Sequence, residues 1–216
     1  MAEKAYQRIR DAIAGLLLQP GQPLTEASLA SWLNMGRTPV REALLLLRDE
    51  GLVESIPRKG YFVSRVSADE AKEIYEMLEG LEGMAAKLAS ERRTQGGIAR
   101  LEKAVSDMEA ALEADDLDAW ALADDAVHNA ILEMAGNRQI ARVVNSLQVR
   151  VKRLQLITIR KRSRIAHSTR IHRAQLEAIR VGDGEMARAI RQDLWKEVSP
   201  ELVDIVRRYG GIGARL

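Results

Sequence analysis

Two groups of side chains in this sequence have the types and spacing to do chemistry, and they lie far apart along the chain. The first is basic: Arg37 and Arg41 bracket Thr38-Pro39, and Arg58-Lys59-Gly60 follows after a short apolar stretch. Thr38 suits a helix N-cap and Pro39 the first helical position, where a missing N–H costs nothing. Arginines just outside that helix end and one turn inside it project together, beside free N–H groups that carry partial positive charge. Such an end attracts phosphates, and an arginine fork there can reach a guanine edge. The same residues also fit a capped surface helix with two solvated arginines.

The second group is metal-ligating. The chain has three histidines. Asp124 and His128 are four apart, hence on one face of a helix, and His172 opens another helical segment. One carboxylate with two imidazoles suits a divalent ion such as Zn, Ni or Mn, with water completing the shell. An Asp-x-x-x-His pair equally makes a surface hydrogen bond, and either histidine fits a satisfied core or helix-end position.

The elements that must hold these residues follow from periodicity. Residues 5–18 read as a helix with Tyr6, Ile9, Ile13, Leu16 and Leu17 on one side, closed by Pro20-Gly21-Gln22-Pro23. Thr25 caps a second helix that turns Leu29, Ala30 and Leu33 inward. Asn34-Met35-Gly36 then makes a tight turn into the arginine-flanked helix, whose Val40, Ala43, Leu44 and Leu47 form one buried face. Gly51 stops it, and Leu52, Val53, Ile56, Tyr61, Phe62 and Val63 flank Pro57-Arg58-Lys59-Gly60 as a β-hairpin with a basic tip. Two helices joined by a tight turn and followed by such a hairpin outline a winged helix-turn-helix, with the second helix entering a major groove.

Ser67-Ala68-Asp69-Glu70 reads as a capping box that opens a new domain, giving residues 1–66 and 67–216 as the two parts. The second part is helical in pattern throughout. It predicts six helices at about 68–92, 98–113, 117–135, 138–161, 169–181 and 184–208, and short connections make them an antiparallel bundle. The fold class expected is therefore mainly α. Residues 1–66 hold nine Lys or Arg against seven Asp or Glu, so any nucleic-acid affinity is local rather than global. Cysteine is absent, which rules out disulfides and thiolate metal sites and fits a reducing compartment. No apolar run approaches the ~18 residues that would span a membrane. A cytoplasmic protein without membrane contact is expected.

Residues 6–63 resemble the DNA-binding domain of GntR-family transcription regulators. The matching stretches are Pro20-Gly21, Leu24-Thr25-Glu26, Leu29-Ala30, Arg37 through Leu44, Glu50-Gly51-Leu52-Val53 and Lys59-Gly60. The resemblance implies that Arg37 and Arg41 contact operator bases and phosphates, Thr38 a phosphate, and Gly60 the DNA at the wing tip beside Arg58 and Lys59. Ala27 stands where many relatives carry arginine. Glu76 to Arg92, Asp124 to His128, Gly136-Asn137 and His172 to Asp183 look like the FCD ligand-binding domain of FadR-type members. That likeness implies a bundle metal held by Asp124, His128 and His172, and an organic-acid effector bound to it. The family's fourth ligand falls at about Leu194, with Asp193 adjacent, and its effector-binding arginine aligns with Leu78. Leu78, Arg150, Asp193 and Trp195 are the candidate effector-pocket residues.

The function expected is a ligand-responsive repressor that binds a palindromic operator in double-stranded DNA as a homodimer. A metal-dependent hydrolase using the bundle metal and a non-specific architectural DNA binder are the competing classes. The run Arg160-Lys161-Arg162 with Arg164 reads as favourable charge at a helix end, or as a second DNA contact. Met77, Met84, Met108 and Met134 read as core or pocket lining. Trp120 and Trp195 fit an effector pocket or a subunit interface.

Overall fold

The computed structural model describes residues 1–209, which form two compact units. The first comprises Met1–Ala71, Gln148–Thr158 and the described residues from Asp204 onward; the second comprises Lys72–Leu147 and Ile159–Val203.

The first unit opens with α1 (Ala2–Ala14), β1 (Pro23–Leu24), α2 (Glu26–Leu33), α3 (Arg37–Asp49), β2 (Val53–Ile56) and β3 (Gly60–Val63). α1 packs on α3, and their apolar stripes make the core: Ala5, Ile9 and Ile13 meet Val40, Ala43, Leu44 and Leu47, all fully buried. Each buried Val, Leu or Ile there contributes roughly 1.5–3 kcal/mol of transfer free energy. α1 is shorter than its periodicity predicts. Gly15 closes it and Leu16 takes a positive φ of 58°, so Leu17 turns outward and Leu18 is the residue that reaches the core. Thr25 caps α2 as expected, accepting from the Ser28 N–H at 3.1 Å, and Asn34 ends it in the left-handed region. The tight turn into α3 is present, but the cap is Gly36, with Arg37 already helical, rather than Thr38. Pro39 is tolerated as the third helical residue because first-turn N–H groups have no intrahelical acceptor to lose.

The hairpin register pairs Val53 with Val63 and Ile56 with Gly60. Arg58 sits at φ 65° after Pro57, the sequence of a type II turn. β1 adds to the outer edge of β3, pairing Pro23 with Phe62 and Leu24 with Tyr61 in the order β1-β3-β2. Sequence reading took Pro20–Pro23 only as turn. A proline survives there because a two-residue edge strand need not donate at every position.

The remaining helices are α4 (Ala68–Glu91), α5 (Gln95–Glu113), α6 (Leu117–Ala135), α7 (Arg138–Thr158), α8 (Ile165–Val181) and α9 (Gly184–Tyr209), with a 3₁₀ turn at Ile159–Lys161. α8 begins four residues before the predicted start at 169. Ser67 caps α4, accepting the Glu70 N–H at 3.0 Å. Within the second unit α5 packs on α6 and α8. Met108 and Met134 are core residues, whereas Met77 and Met84 face outward, against expectation. The C-terminal half of α7 is part of the first unit. Val149 joins the winged-helix core, Arg150 donates to the Glu50 carbonyl and pairs with Glu70, and buried Arg153 donates to the Ser64 carbonyl. Arg150 is thus committed to the first unit, apart from Leu78, Asp193 and Trp195, which belong to the second.

Candidate functional site

At the first unit's helix-turn-helix, Arg37, Thr38 and Arg41 are exposed at the start of α3, and Arg58, Lys59 and Gly60 are exposed at the hairpin tip. Arg8 braces the scaffold behind them, donating to the Leu33 carbonyl that α2 leaves open and lying over the Trp32 ring. Arg41 is not loose. Its Nε and Nη2 donate to the two oxygens of Glu26 on α2, at 2.7 and 2.9 Å, in the forked geometry that carboxylate and phosphate both accept. That hydrogen bond holds the Glu26 carboxyl below the usual carboxylate range. Gly60 has φ 94°, and a Cβ built on it meets nothing within 4 Å, so another backbone has room to approach. Ala27, on α2, is exposed and leaves that part of the surface uncharged.

The second unit holds a buried polar centre. α6 presents Asp124 and His128, one turn apart, and α8 brings His172 to them. His172 Nε2 lies 3.0 Å from Asp124 Oδ1, and His128 Nε2 lies 3.6 Å from the same oxygen. One donor atom from each of the three falls within 4.8 Å of the others, so a small inward shift brings all three to the bond lengths of about 2.0–2.2 Å that a divalent cation takes. Burial pushes the His172 imidazole down to about 3, against the pull of Asp124, so it stays neutral as a ligand must. Asp124 is held well below the carboxylate range: burial opposes ionisation, and His128, His172 and Arg162 outweigh it. The donor set therefore fits a divalent cation.

Two residues that sequence reading missed complete the centre. Glu82 on α4 takes a hydrogen bond from His128 Nδ1 at 3.0 Å and one from Trp195 Nε1 at 2.7 Å. Arg191 on α9 donates to Glu82 through Nε at 2.8 Å and also through Nη2. Burial raises the Glu82 carboxyl, but Arg191 and His128 bring it down to about 2. His128 is opposed by burial and by Arg191, and the Glu82 and Asp124 carboxylates prevail, raising it to about 9, so a cation that takes His128 as a ligand must displace its proton. The Arg191 Nη2 atom is 2.8 Å from His128 Nε2 and 3.1 Å from Nδ1. It is thus within reach of both ring nitrogens. Arg191 also lies over Trp195, which stacks on Tyr75 with centroids 5.3 Å apart.

Spacing could have found both. Glu82 follows Leu78 and precedes Ala85, Ala86 and Ala89 on one buried stripe, and Arg191 sits among Ala187, Leu194, Trp195 and Val198 on another. A charge on an inward stripe signals a buried partner. Of the other expected pocket residues, Leu78 and Trp195 are buried, and Leu194 is buried but without a ligating atom. Asp193 is exposed and pairs with Lys196 at 3.2 Å, so it is not in the polar centre; one residue around the helix from Leu194 points it to solvent. The basic run divides: Arg160 pairs with Asp118, while Arg162 lies over Trp120 and donates to Ser168 Oγ at 3.0 Å. Trp120, fully buried, donates to Thr169 Oγ1 at 2.9 Å.

Residues 1–63 match the model of the bacterial regulatory proteins of the gntR family, and residues 73–196 match the FCD domain. The chain belongs to the GntR family, with an FCD domain behind its DNA-binding domain. It is 38% identical over 134 residues to an HTH-type transcriptional regulator in the TAR-I ttuE-ttuC' intergenic region of Agrobacterium vitis, covering 61% of this chain and 78% of that one. It is 26% identical to the HTH-type transcriptional repressor RspR of Escherichia coli, over 94% of this chain and 89% of RspR. The solved structure of E. coli McbR/YncC superposes with a TM-score of 0.79 at 22% identity, over 94% and 97% of the two chains, and shows the shared fold. This GntR protein is a transcription regulator and not an enzyme. No helix among the described residues is long and apolar enough to cross a membrane.

Proposed function

We propose that this regulator is an effector-responsive repressor, acting from the cytoplasm as a homodimer on a palindromic operator. α3 would enter the major groove with Arg37, Thr38 and Arg41 at its leading end, and Arg58, Lys59 and Gly60 at the wing would meet adjacent backbone. The observation that carries the sensing half of this reading is the convergence of Asp124, His128 and His172 inside the second unit, a donor set that suits Zn, Ni or Mn. A cation held there would supply a Lewis-acidic anchor for a small organic acid. The chain's own residues do the rest. Glu82 orients His128 through Nδ1, Arg191 offsets the charge of Glu82, and Tyr75, Trp195 and Leu78 supply apolar walls. The name of RspR supports repression as the sense of control.

Binding that favours one arrangement of the DNA-binding units changes operator affinity by the coupling free energy between the two sites. The test is elemental analysis of the purified protein and of His128→Ala, together with operator binding by both with and without candidate acids. Roughly one equivalent of metal per chain in the native protein, lost in the variant along with the acid response, is expected. A metal-free native protein would remove the cation from the reading.

A further inference from the structure

The inward stripe of α8 is polar where a bundle helix is normally apolar. Ser168, Thr169, His172 and Gln175 recur at helical spacing, and all are at least 97% buried. Such groups require partners, because a buried polar atom without one costs the full loss of its hydration. Ser168 has Arg162, and Thr169 has Trp120 and the Ile165 carbonyl. His172 Nε2 has Asp124. The remainder of the stripe is unsatisfied. Among the described residues, His172 Nδ1 and both Oε1 and Nε2 of Gln175 have no hydrogen-bond partner.

We propose that Gln175, with His172 Nδ1 beside it, reads hydroxyl groups on the effector, so that the ligand is a small polyhydroxylated acid rather than a plain or apolar one. This rests on the reading above, in which the acid end sits at Asp124, His128 and His172. With Nε2 given to the cation of that reading, the neutral His172 ring carries its proton on Nδ1, which is then a donor and needs an acceptor. The Gln175 carboxamide needs both a donor and an acceptor. A hydroxyl supplies each role, whereas a methylene, a fatty chain or a second carboxylate does not. Residues 172 and 175 are separated by ~4.5 Å of helix rise and share a face, which suits hydroxyls on neighbouring carbons of a short chain. A site built to bond a hydroxyl rejects the analogue lacking it strongly, because its own buried groups are then left unpaired.

The experiment uses matched pairs that differ only in hydroxylation: tartrate against succinate, galactarate against adipate, and gluconate against hexanoate. Each is titrated calorimetrically into the full-length protein, Gln175→Leu, Gln175→Met and His128→Ala. In at least one pair the hydroxylated acid should bind native protein at least ~10-fold more tightly, and both Gln175 variants should bring that pair within ~3-fold. The ligand-free melting temperature of the variants should be unchanged or higher, since two unpaired polar atoms are replaced by apolar ones. Equal affinity within every pair, or discrimination that survives both substitutions, would overturn the proposal. So would a drop of several degrees in ligand-free Gln175→Leu and Gln175→Met, which would mean that a buried water already satisfies the carboxamide. If both members of a pair bind equally and His128→Ala abolishes them, the acid site stands and only the hydroxyl reading falls. If no acid binds, the acid site falls and takes this inference with it.

Discussion

Replacing Arg191 by methionine interrogates the polar centre at its most exposed energetic point. Side-chain exposure is 4% for Arg191 and 8% for Glu82, so neither charge has water to fall back on. Methionine keeps most of the arginine stem and its contact with Trp195, so the loss is electrostatic rather than a cavity. Removing one partner of a buried ion pair costs about 3–5 kcal/mol, because the other is left uncompensated. His128 remains 3.0 Å from Glu82 as a proton-bearing partner and pulls the expected loss to the lower end, about 3 kcal/mol. At roughly 2–4 °C per kcal/mol for a chain of this size, that is a fall of about 6–12 °C in melting temperature. The double variant Glu82→Leu/Arg191→Met removes the orphaned charge but strands the Trp195 N–H and His128 Nδ1, at about 1–3 kcal/mol each. An apolar replacement of a buried pair can itself stabilise by about 1–4 kcal/mol, which offsets most of that loss, so the double variant should be about as stable as the single one. Urea unfolding followed by circular dichroism gives both free energies. A single-variant loss below about 1 kcal/mol, or a double variant clearly worse than the single, would refute the account of Glu82 and Arg191 as an interdependent buried pair.

Further outcomes follow from the same structure. Arg41→Ala should weaken specific operator binding by roughly 5- to 150-fold, the scale of a bidentate base contact, while non-specific DNA binding changes far less; fluorescence anisotropy with operator and scrambled duplexes separates the two. Glu26→Gln removes the carboxylate that now occupies the Arg41 fork, and should raise operator affinity modestly, most visibly at low salt. An unchanged affinity would mean that Arg41 keeps Glu26 as its partner on DNA. Lys59→Ala should weaken all duplexes about equally and lower the salt dependence by a slope of about 1. Trp120→Phe removes the indole N–H and the pyrrole half of a fully buried ring; Thr169 Oγ1 is stranded only partly, since it also donates to the Ile165 carbonyl, but the cavity adds to the loss, so urea unfolding should show about 1–3 kcal/mol.

What could be read from the sequence divides along a physical line. Local signals, which act within a turn or two, were legible: the Thr25 and Ser67 caps, the tight turn at Asn34-Met35-Gly36, the buried face Val40, Ala43, Leu44, Leu47, and the basic hairpin tip. The convergence of Asp124, His128 and His172 was legible for the same reason, because Asp124 and His128 share a helix face and a third histidine was scarce enough to stand out. Interactions spanning tens of residues were not. Nothing near Arg150 in the chain says that it will donate to the Glu50 carbonyl, a hundred positions away, and so α7 was given wholly to the bundle. Asp193 and Leu194 differ by one residue, about 100° of helix rotation, and the sequence alone left open which of them faced the ligands. The structure turns Leu194 inward and leaves Asp193 to Lys196.

The same rotation explains Arg191. It lies three residues before Leu194, on the stripe that faces inward, so α9 brings a cation to the polar centre. Leu78 on α4 is buried and apolar, so the fixed positive charge of the centre is that of Arg191. A buried guanidinium with Glu82 as counter-charge is a permanent neutral pair, so it does not supply the net charge that an arriving acid would meet. That charge must come from a cation at Asp124, His128 and His172, or from Arg162, which contributes to holding Asp124 ionised and whose Nε is buried without a partner among the described residues. Arg162→Leu therefore distinguishes the two: it should leave metal content by elemental analysis intact, and a large loss of acid affinity with metal retained would assign the carboxylate contact to Arg162 rather than to the ion.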